Sequence, residues 1–366
     1  MATRSLTLAR KLASAYPWVA APFIIGAPMR VMAGPELAVA VSAAGGLGFI
    51  GPGNKTSETA TALERARELL AQSEIPASLQ AALKSETQVL PIGVGFQTWT
   101  DDMKTAVSAI KAHKPCAAWL FAPRNGQEEF DSWAQHIREI SPKTQIWIQV
   151  GTLREALLAI KSKSPPDVLV VQGAEAGGHG RATDGIGIIT LLPEVADAAQ
   201  SHDIPLVAAG GILDGRAAAA ALCLGASGIV MGTRFLASTE ARISKGYQNE
   251  VLRATDGGVS TTRTTLYNRL RGTVGWPEDF SPRTIINKSY QEQKAGVPFD
   301  KLKVLHDDAL KSGDAGWGPE GRLATYAGAG VGLIHDVKDA RDIVSGVRDG
   351  ARAVTPAEMP TAAVRM

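Results

Sequence analysis

Short apolar runs rich in β-branched residues alternate with longer stretches of helical periodicity over the first 236 residues. This alternation is typical of a parallel α/β fold, in which helices cover both faces of the sheet. Eight βα units favour a closed (β/α)8 TIM barrel over an open doubly wound sheet. The predicted strands are residues 23–26, 47–50, 92–95, 117–121, 146–150, 168–171, 206–209 and 228–231.

Seven helical segments separate these strands: residues 35–44, 56–71, 101–112, 127–140, 153–161, 190–201 and 214–224. Thr152 and Asp214 precede two of them, where a side-chain oxygen can accept a hydrogen bond from a free backbone N–H. Helical periodicity returns at residues 331–353, which predicts the eighth barrel helix. We therefore expect the barrel to consist of residues 1–236 and 326–366.

The alternation stops after the eighth strand. Thr, Arg, Gly and Pro are concentrated in residues 237–325, which predicts a smaller inserted domain or lid. This segment contains Trp276 and Trp317. Their aromatic rings either line an apolar substrate cavity or belong to a local core, and the sequence leaves both readings open.

Composition and charge indicate an ordinary globular protein that acts on small molecules. Of 366 residues, 45% are hydrophobic and 20% are charged, and the net charge is +2. This balance provides no basic surface for nucleic acid or for an anionic membrane. Cys116 and Cys223 have no metal-site spacing, and two cysteines fit a reducing compartment. We expect both to be buried and the protein to be cytoplasmic.

An uncharged run at residues 12–29 raises the question of a membrane helix or a signal peptide. Pro17, Pro22 and Pro28 interrupt it and would free too many backbone groups inside a bilayer. The run also contains the first predicted strand, so its removal would damage the core. A mitochondrial presequence confined to residues 1–16 is the alternative to a cytoplasmic protein.

His179 is the histidine that directly follows the C-terminal end of a predicted strand, where TIM-barrel enzymes carry their active sites. Gly177 and Gly178 precede it, and residues without a Cβ let the backbone approach a flat ligand closely. We predict that His179 is a catalytic base or acid above the barrel mouth, with a pKa near its ordinary value of about 6.5. The alternative is a surface-loop histidine without a catalytic role.

Glycines also follow the seventh and eighth strands, in the loops where TIM barrels commonly bind phosphate. Alternatively, these glycines only turn the chain. Further polar or backbone groups end strands one, three, five and six, and one phosphate site within such a ring suggests flavin mononucleotide (FMN). The predicted cofactor contacts are Ala27, Pro28, Met29, Gln97, Gln149, Gln172, Gly177, Gly178, Ala209, Gly210, Gly211, Met231, Gly232 and Thr233.

The chain resembles the nitronate monooxygenases, formerly called 2-nitropropane dioxygenases, of the fungal type. The resemblance covers most of the chain. It rests on G-A-P-M (26–29), S-A-A-G-G-L-G-F-I (42–50), V-Q-G-A-E-A-G-G-H-G (171–180), L-L-P-E-V (191–195), A-A-G-G-I-L-D-G-R (208–216), G-T-R-F (232–235) and G-A-G-V-G-L-I (328–334).

The resemblance implies noncovalent FMN, with His179 as the catalytic residue. It also implies oxidation of alkyl nitronates by O2 to carbonyl compounds and nitrite, and whether neutral nitroalkanes are accepted stays open. The implied flavin contacts are Met29, Gln172, Gly177, Gly178, Gly210, Gly211, Gly232 and Thr233.

Two other enzymatic readings stay open at this point. Barrels of similar sequence act as FMN-dependent NAD(P)H oxidoreductases on enoyl thioesters or quinones, and a flavin-free barrel could bind the phosphate of a sugar substrate in the same loops. No metal is expected, because the sequence has no metal-site spacing. No bound nicotinamide is expected either, because the G-x-G-x-x-G spacing at residues 46–51 contains a strand instead of following one. A homodimer is compatible with the sequence.

Overall fold

The computed structural model describes residues 2–72, 74–84 and 89–354. Eight parallel strands close a barrel, and each predicted strand is present. Pairing of the first barrel strand with the last, with Ile25 opposite Val230, completes the ring. The prediction of a (β/α)8 TIM barrel is confirmed. The barrel strands are β1 Ile24–Gly26, β2 Leu47–Ile50, β3 Leu90–Gln97, β4 Pro115–Phe121, β5 Gln145–Val150, β6 Val168–Gln172, β8 Leu206–Ala209 and β9 Gly228–Met231, while β7 Gly178–Arg181 lies outside the barrel.

Helices follow the strands as expected, with ends shifted by a few residues. Thr152 forms a capping box with Glu155, and the Asp214 side chain accepts from the N–H groups of Arg216 and Ala217. Three helices, at residues 2–15, 77–84 and 233–236, were not predicted. The helices of the first 236 residues are α1 Ala2–Ala15, α2 Pro35–Ala43, α3 Glu58–Gln72, α4 Ala77–Lys84, α5 Met103–His113, α6 Gln127–Ile140, α7 Leu153–Ile160, α8 Ile188–Ala198, α9 Gly215–Cys223 and α10 Thr233–Leu236.

Large aromatic side chains fill the inside of the barrel. The Phe49 ring packs edge-on against Trp119 at 5.2 Å, and Trp119 stacks with Trp147 at 5.8 Å. The Trp147 Nε1–H donates to the Tyr16 hydroxyl at 2.7 Å. Tyr16 and Leu12 are fully buried, so loss of residues 1–16 would take two side chains out of this core.

The chain between the eighth strand and the last helix builds a second layer over the barrel. Strands β10 Thr261–Arg263 and β11 Phe280–Ile285 form an antiparallel sheet with β7 in the order β10-β11-β7, in which Pro282 lies opposite His179. A separate small core packs around the buried Tyr267. The elements here are α11 Lys245–Arg253, α12 Gly257–Ser260, β10 Thr261–Arg263, α13 Leu266–Arg271, β11 Phe280–Ile285, α14 Lys288–Lys294 and α15 Phe299–Lys311.

Three expectations need correction or a limit. Cys116 is buried, but Cys223 is exposed because it falls on the outer face of α9. The last helix, α16 Ala340–Val354, begins later than predicted, after a 3-10 turn at Val331–Leu333. Residues 355–366 of the predicted barrel segment lie outside the described residues. Within residues 2–72, 74–84 and 89–354, no helix is long and apolar enough to cross a membrane.

Candidate active site

A cavity of about 270 Å³ opens at the C-terminal end of the barrel. Met231 is the predicted contact that the cavity does not include. It is fully buried in β9, and its carbonyl accepts a hydrogen bond from the Ala27 N–H. The predicted residues that line the cavity are Ala27, Pro28, Met29, Gln97, Gln149, Gln172, Gly177, Gly178, His179, Ala209, Gly210, Gly211, Gly232 and Thr233.

The glycines after β8 and β9 form a backbone cradle on this cavity. Gly210 has φ +97°, and a Cβ there would lie 2.9 Å from the Gly173 carbonyl oxygen. Gly211 also has a positive φ, +73°. Gly232 caps α10 without a side chain, so the N–H groups of that first turn have no side-chain partner. Closely approachable amides of this kind can bind a phosphate group.

Two carboxamides reach the cavity from the ends of barrel strands. The Gln149 Oε1 accepts from Trp119 Nε1 at 2.9 Å, which leaves the amide NH2 of Gln149 as the group offered to a ligand. Gln97 Oε1 accepts from Arg30 Nη1 at 2.8 Å. Both side chains are thereby held in place before any ligand binds. Such groups suit the polar edge of a planar heterocycle.

His179 is the second residue of β7 and lines the same cavity, half-buried. Its ring stacks on Trp276 with centroids 3.5 Å apart and planes within 6°. Its Nε2 lies 3.1 Å from Nδ2 of Asn268, and its carbonyl oxygen is 3.5 Å from Gln172 Nε2. The sequence pattern predicted a glycine loop here, whereas the structure shows a strand held by the inserted segment.

Burial lowers the pKa of His179 to about 3. The hydrogen bond with Asn268 opposes this shift, whereas the positive charges of Arg263, Arg271 and Arg30 add to it. The expectation of an ordinary pKa near 6.5 is therefore wrong. The imidazole is neutral throughout the physiological pH range, because both desolvation and nearby cations disfavour its charged form.

Two arginines of the inserted segment hold the loop that leads into β7. Arg263 donates to the carbonyl oxygens of Ala174 and Ala176 through Nη2, at 3.2 and 3.1 Å, and to Gly178 through Nη1 at 3.2 Å. Arg283 donates to the Ala174 carbonyl oxygen from Nε and Nη2. The position of the glycine run thus depends on residues about 90 to 110 positions later in the chain.

Several cavity residues were not predicted: Arg271 comes from the inserted segment, and Tyr326 follows directly after it. Arg271 Nη1 donates to the Tyr326 hydroxyl at 2.7 Å, and the Tyr326 ring lies 6.1 Å from the ring of His179. Trp276 lines the cavity, whereas Trp317 packs against Tyr247 in a local core. The cavity role left open by the sequence thus applies to Trp276, and the local-core role applies to Trp317. No local motif marks Arg271 or Tyr326 in the sequence.

Comparisons with known proteins agree with this architecture. The family model described as nitronate monooxygenase matches residues 17–346. A nitronate monooxygenase, npaC, of Metarhizium robertsii is 61% identical over 343 residues, which cover 94% of each chain. A nitronate monooxygenase of Neurospora crassa is 34% identical and covers 93% of this chain and 92% of the other.

Solved structures of lower identity share the fold. A nitroalkane oxidase from Streptomyces ansochromogenes has a TM-score of 0.69 at 22% identity, covering 94% of this chain and 98% of the other. FabK from Thermotoga maritima has a TM-score of 0.68 at 24% identity, covering 93% and 96%. The family match over most of the chain and the 61% identical relative carry the assignment. The protein is an enzyme of the nitronate monooxygenase family.

Proposed function

We propose that the protein oxidises alkyl nitronates, and also neutral nitroalkanes, with O2 to carbonyl compounds and nitrite. In this proposal the cofactor is noncovalent FMN and His179 is the catalytic base. The observation that carries the proposal is the position of His179, which faces the same cavity as the glycine cradle after β8 and β9. The names of the two fungal relatives support the substrate class.

The residues of the cavity fit FMN. Gly210, Gly211, Gly232 and Thr233 would hold the phosphate, and the carboxamides of the barrel mouth would face the ring. A Cβ at Gly178 would meet no protein atom within 4 Å, so this position leaves space beside the imidazole. When bound, FMN supplies the electron transfer between substrate and O2, a chemistry that amino-acid side chains do not provide.

His179 has the protonation state that a base needs. Its low pKa keeps a lone pair available at neutral pH but makes the free ring a weak base, so proton removal from carbon requires stabilisation of the imidazolium as it forms. The reaction forms the nitronate anion next to the new imidazolium, and this attraction offsets the cost of charging the buried ring. Arg271 lines the same cavity and adds a positive charge that attracts the anion.

We also propose that residues 237–325 act as a lid on the barrel. This segment contributes Arg271, Thr273 and Trp276 to the cavity wall and pairs β11 with β7. A lid of this kind excludes water from the reacting groups, which strengthens the electrostatic interactions inside.

Replacement of His179 tests the assignment. His179→Asn keeps a polar side chain but removes the base, so we expect turnover of a neutral nitroalkane to fall by about 10² to 10⁴-fold. Nitronate oxidation should fall less, because that substrate has already lost its proton. His136→Asn is the matched control, since His136 is exposed on α6. An unchanged nitroalkane rate in His179→Asn would refute the role.

Replacement of Gly211 tests the cofactor site. Gly211→Leu forces a branched side chain into φ +73°, with its Cβ 3.2 Å from the Cβ of Glu175, so the loop must shift and we expect purified protein without bound FMN. Gly346→Ala is the control, because a Cβ at Gly346 of α16 meets no atom within 4 Å. Full flavin content in Gly211→Leu would contradict the placement of the phosphate.

A further inference from the structure

The carboxamide of Asn268 is only half satisfied. Asn268 lies on α13, is 5% exposed, and places Nδ2 3.1 Å from His179 Nε2. Its Oδ1 is buried and has no hydrogen-bond partner within the described part of the chain. Buried carboxamide oxygens in folded proteins are normally paired. The unpaired Oδ1 belongs to the same carboxamide whose Nδ2 contacts the cavity histidine, and its lack of a partner therefore requires an explanation.

The two ends of a carboxamide exchange places when its terminal torsion turns by half a revolution, with no change in shape. With Nδ2 toward the ring, His179 Nε2 accepts and the ring proton sits on Nδ1. With Oδ1 toward the ring, Nε2 carries the proton and Nδ1 has the lone pair. The hydrogen bond of the ring within the described residues is made by Nε2, so Nδ1 is the ring nitrogen left for a substrate.

We propose that Asn268 is a positioning residue for His179: its Oδ1 accepts the Nε2–H, so that Nδ1 is the atom that takes the proton from a neutral nitroalkane. This inference rests on the proposed function. The same hydrogen bond persists when the ring is protonated, because Nε2–H remains a donor in the imidazolium. In that orientation Oδ1 has Nε2–H as its partner, and Nδ2 takes the buried position that Oδ1 held.

Two contacts together fix the imidazole. Stacking on Trp276 fixes the plane of the ring, and the bond to Asn268 fixes its rotation within that plane. The backbone at Asn268 is held, since its main-chain carbonyl oxygen accepts from the Thr273 N–H at 2.9 Å. A base held in one orientation and one tautomer is more effective than a freely rotating one.

The charges around His179 all oppose its protonation. Arg263 of β10, Arg271 of α13 and Arg30 after β1 raise the positive potential at the ring. The hydrogen bond with Asn268 acts in the opposite direction. With its Oδ1 facing Nε2–H, Asn268 stabilises the imidazolium that proton abstraction creates. The surrounding arginines destabilise that imidazolium.

The first test is Asn268→Leu, which keeps the volume and removes the hydrogen bond. We expect kcat on a neutral nitroalkane to fall by about 10- to 100-fold, within the range of a disturbed general base. The KM should change little, and the ratio of nitroalkane to nitronate turnover should fall. In the His179→Asn background the same substitution should cause no further loss, because Asn268 acts through His179.

The second test is Asn268→Asp, which is useful even if the leucine variant does not fold. A carboxylate facing Nε2–H stabilises the imidazolium, so the acidic limb of the pH profile of kcat/KM should move upward by a unit or more. Flavin content and thermal stability identify a misfolded variant. An unmoved limb would overturn the proposal, as would a further loss of nitroalkane turnover in the double variant.

The outcomes separate this inference from the function on which it rests. If the wild-type protein releases no nitrite from a nitronate or from a nitroalkane, the proposed function fails. If the wild type is active and His179→Asn is impaired, but folded Asn268→Leu keeps the wild-type substrate ratio, the function stands and the positioning role of Asn268 is wrong.

Discussion

Loss of the Arg263 side chain should loosen the loop that carries the catalytic histidine. In Arg263→Met, the carbonyl oxygens of Ala176, Gly178 and Ser281 lose their guanidinium donor, while Arg283 still donates to Ala174. A net value of about 1 kcal/mol for each lost bond gives a destabilisation of about 3 kcal/mol. Removing a buried cation that Arg283 repels offsets part of this, since burial and Arg283 lower the pKa of Arg263 to about 10.

The effect should appear in both stability and cofactor binding. For a chain of this length, about 3 kcal/mol corresponds to a fall in Tm of about 4 °C. FMN must reorder the loop when it binds, so its Kd should rise by about 10- to 100-fold. Scanning calorimetry with and without FMN, and quenching of free FMN fluorescence on titration, measure the two quantities.

Two variants bracket the result. Arg263→Lys keeps the charge but cannot span several carbonyl groups, so its effect should be intermediate. Arg283→Met should be milder, because Arg263 continues to hold Ala174 and only the bond to Thr261 is lost without replacement. If Arg263→Met matches the wild type in Tm and in FMN affinity, the arginine does not hold the loop and the reasoning fails.

Three further outcomes follow from the same contacts. Gly210→Ala should cost about 1 to 3 kcal/mol at φ +97° and reduce FMN content, and a stable, fully flavinated variant would argue against the cradle. Trp276→Ala exposes the His179 ring, so its pKa should rise toward the ordinary value. As the pH is lowered, nitroalkane turnover should then fall at a higher pH than in the wild type, and an unchanged pH profile would disprove this. Tyr16→Phe leaves the buried Trp147 Nε1–H without an acceptor and should lower the free energy of unfolding by about 1 to 3 kcal/mol, as denaturant titration measures.

The barrel was predictable because its strands are buried on both sides and therefore read as continuous apolar runs. Ile146–Trp147–Ile148 in β5 and Leu169–Val170–Val171 in β6 are examples, and all six residues are fully buried. The ends of these strands then located the barrel mouth. The same strand ends located the glycines that follow β8 and β9; Gly210 and Gly211 have positive φ values that favour glycine, whereas Gly232 has φ −110°.

The environment of His179 was not predictable from local sequence. The segment G-H-G-R of β7 has no strand propensity, and it becomes a strand only by pairing with β11 about a hundred residues later. Trp276 and Asn268 reach the ring through the same long-range packing. The pKa of His179 depends on that packing, so the sequence could identify the residue but not its protonation.

Anaerobic mixing tests the central claim most directly. Purified protein with bound FMN is mixed without O2 with an alkyl nitronate and, separately, with NADH, while the visible absorbance of the flavin is recorded. The account predicts rapid bleaching by the nitronate, no bleaching by NADH, and return of the colour when O2 is admitted. Rapid bleaching by NADH with no response to the nitronate, or a colourless protein that does not bind FMN, would contradict it.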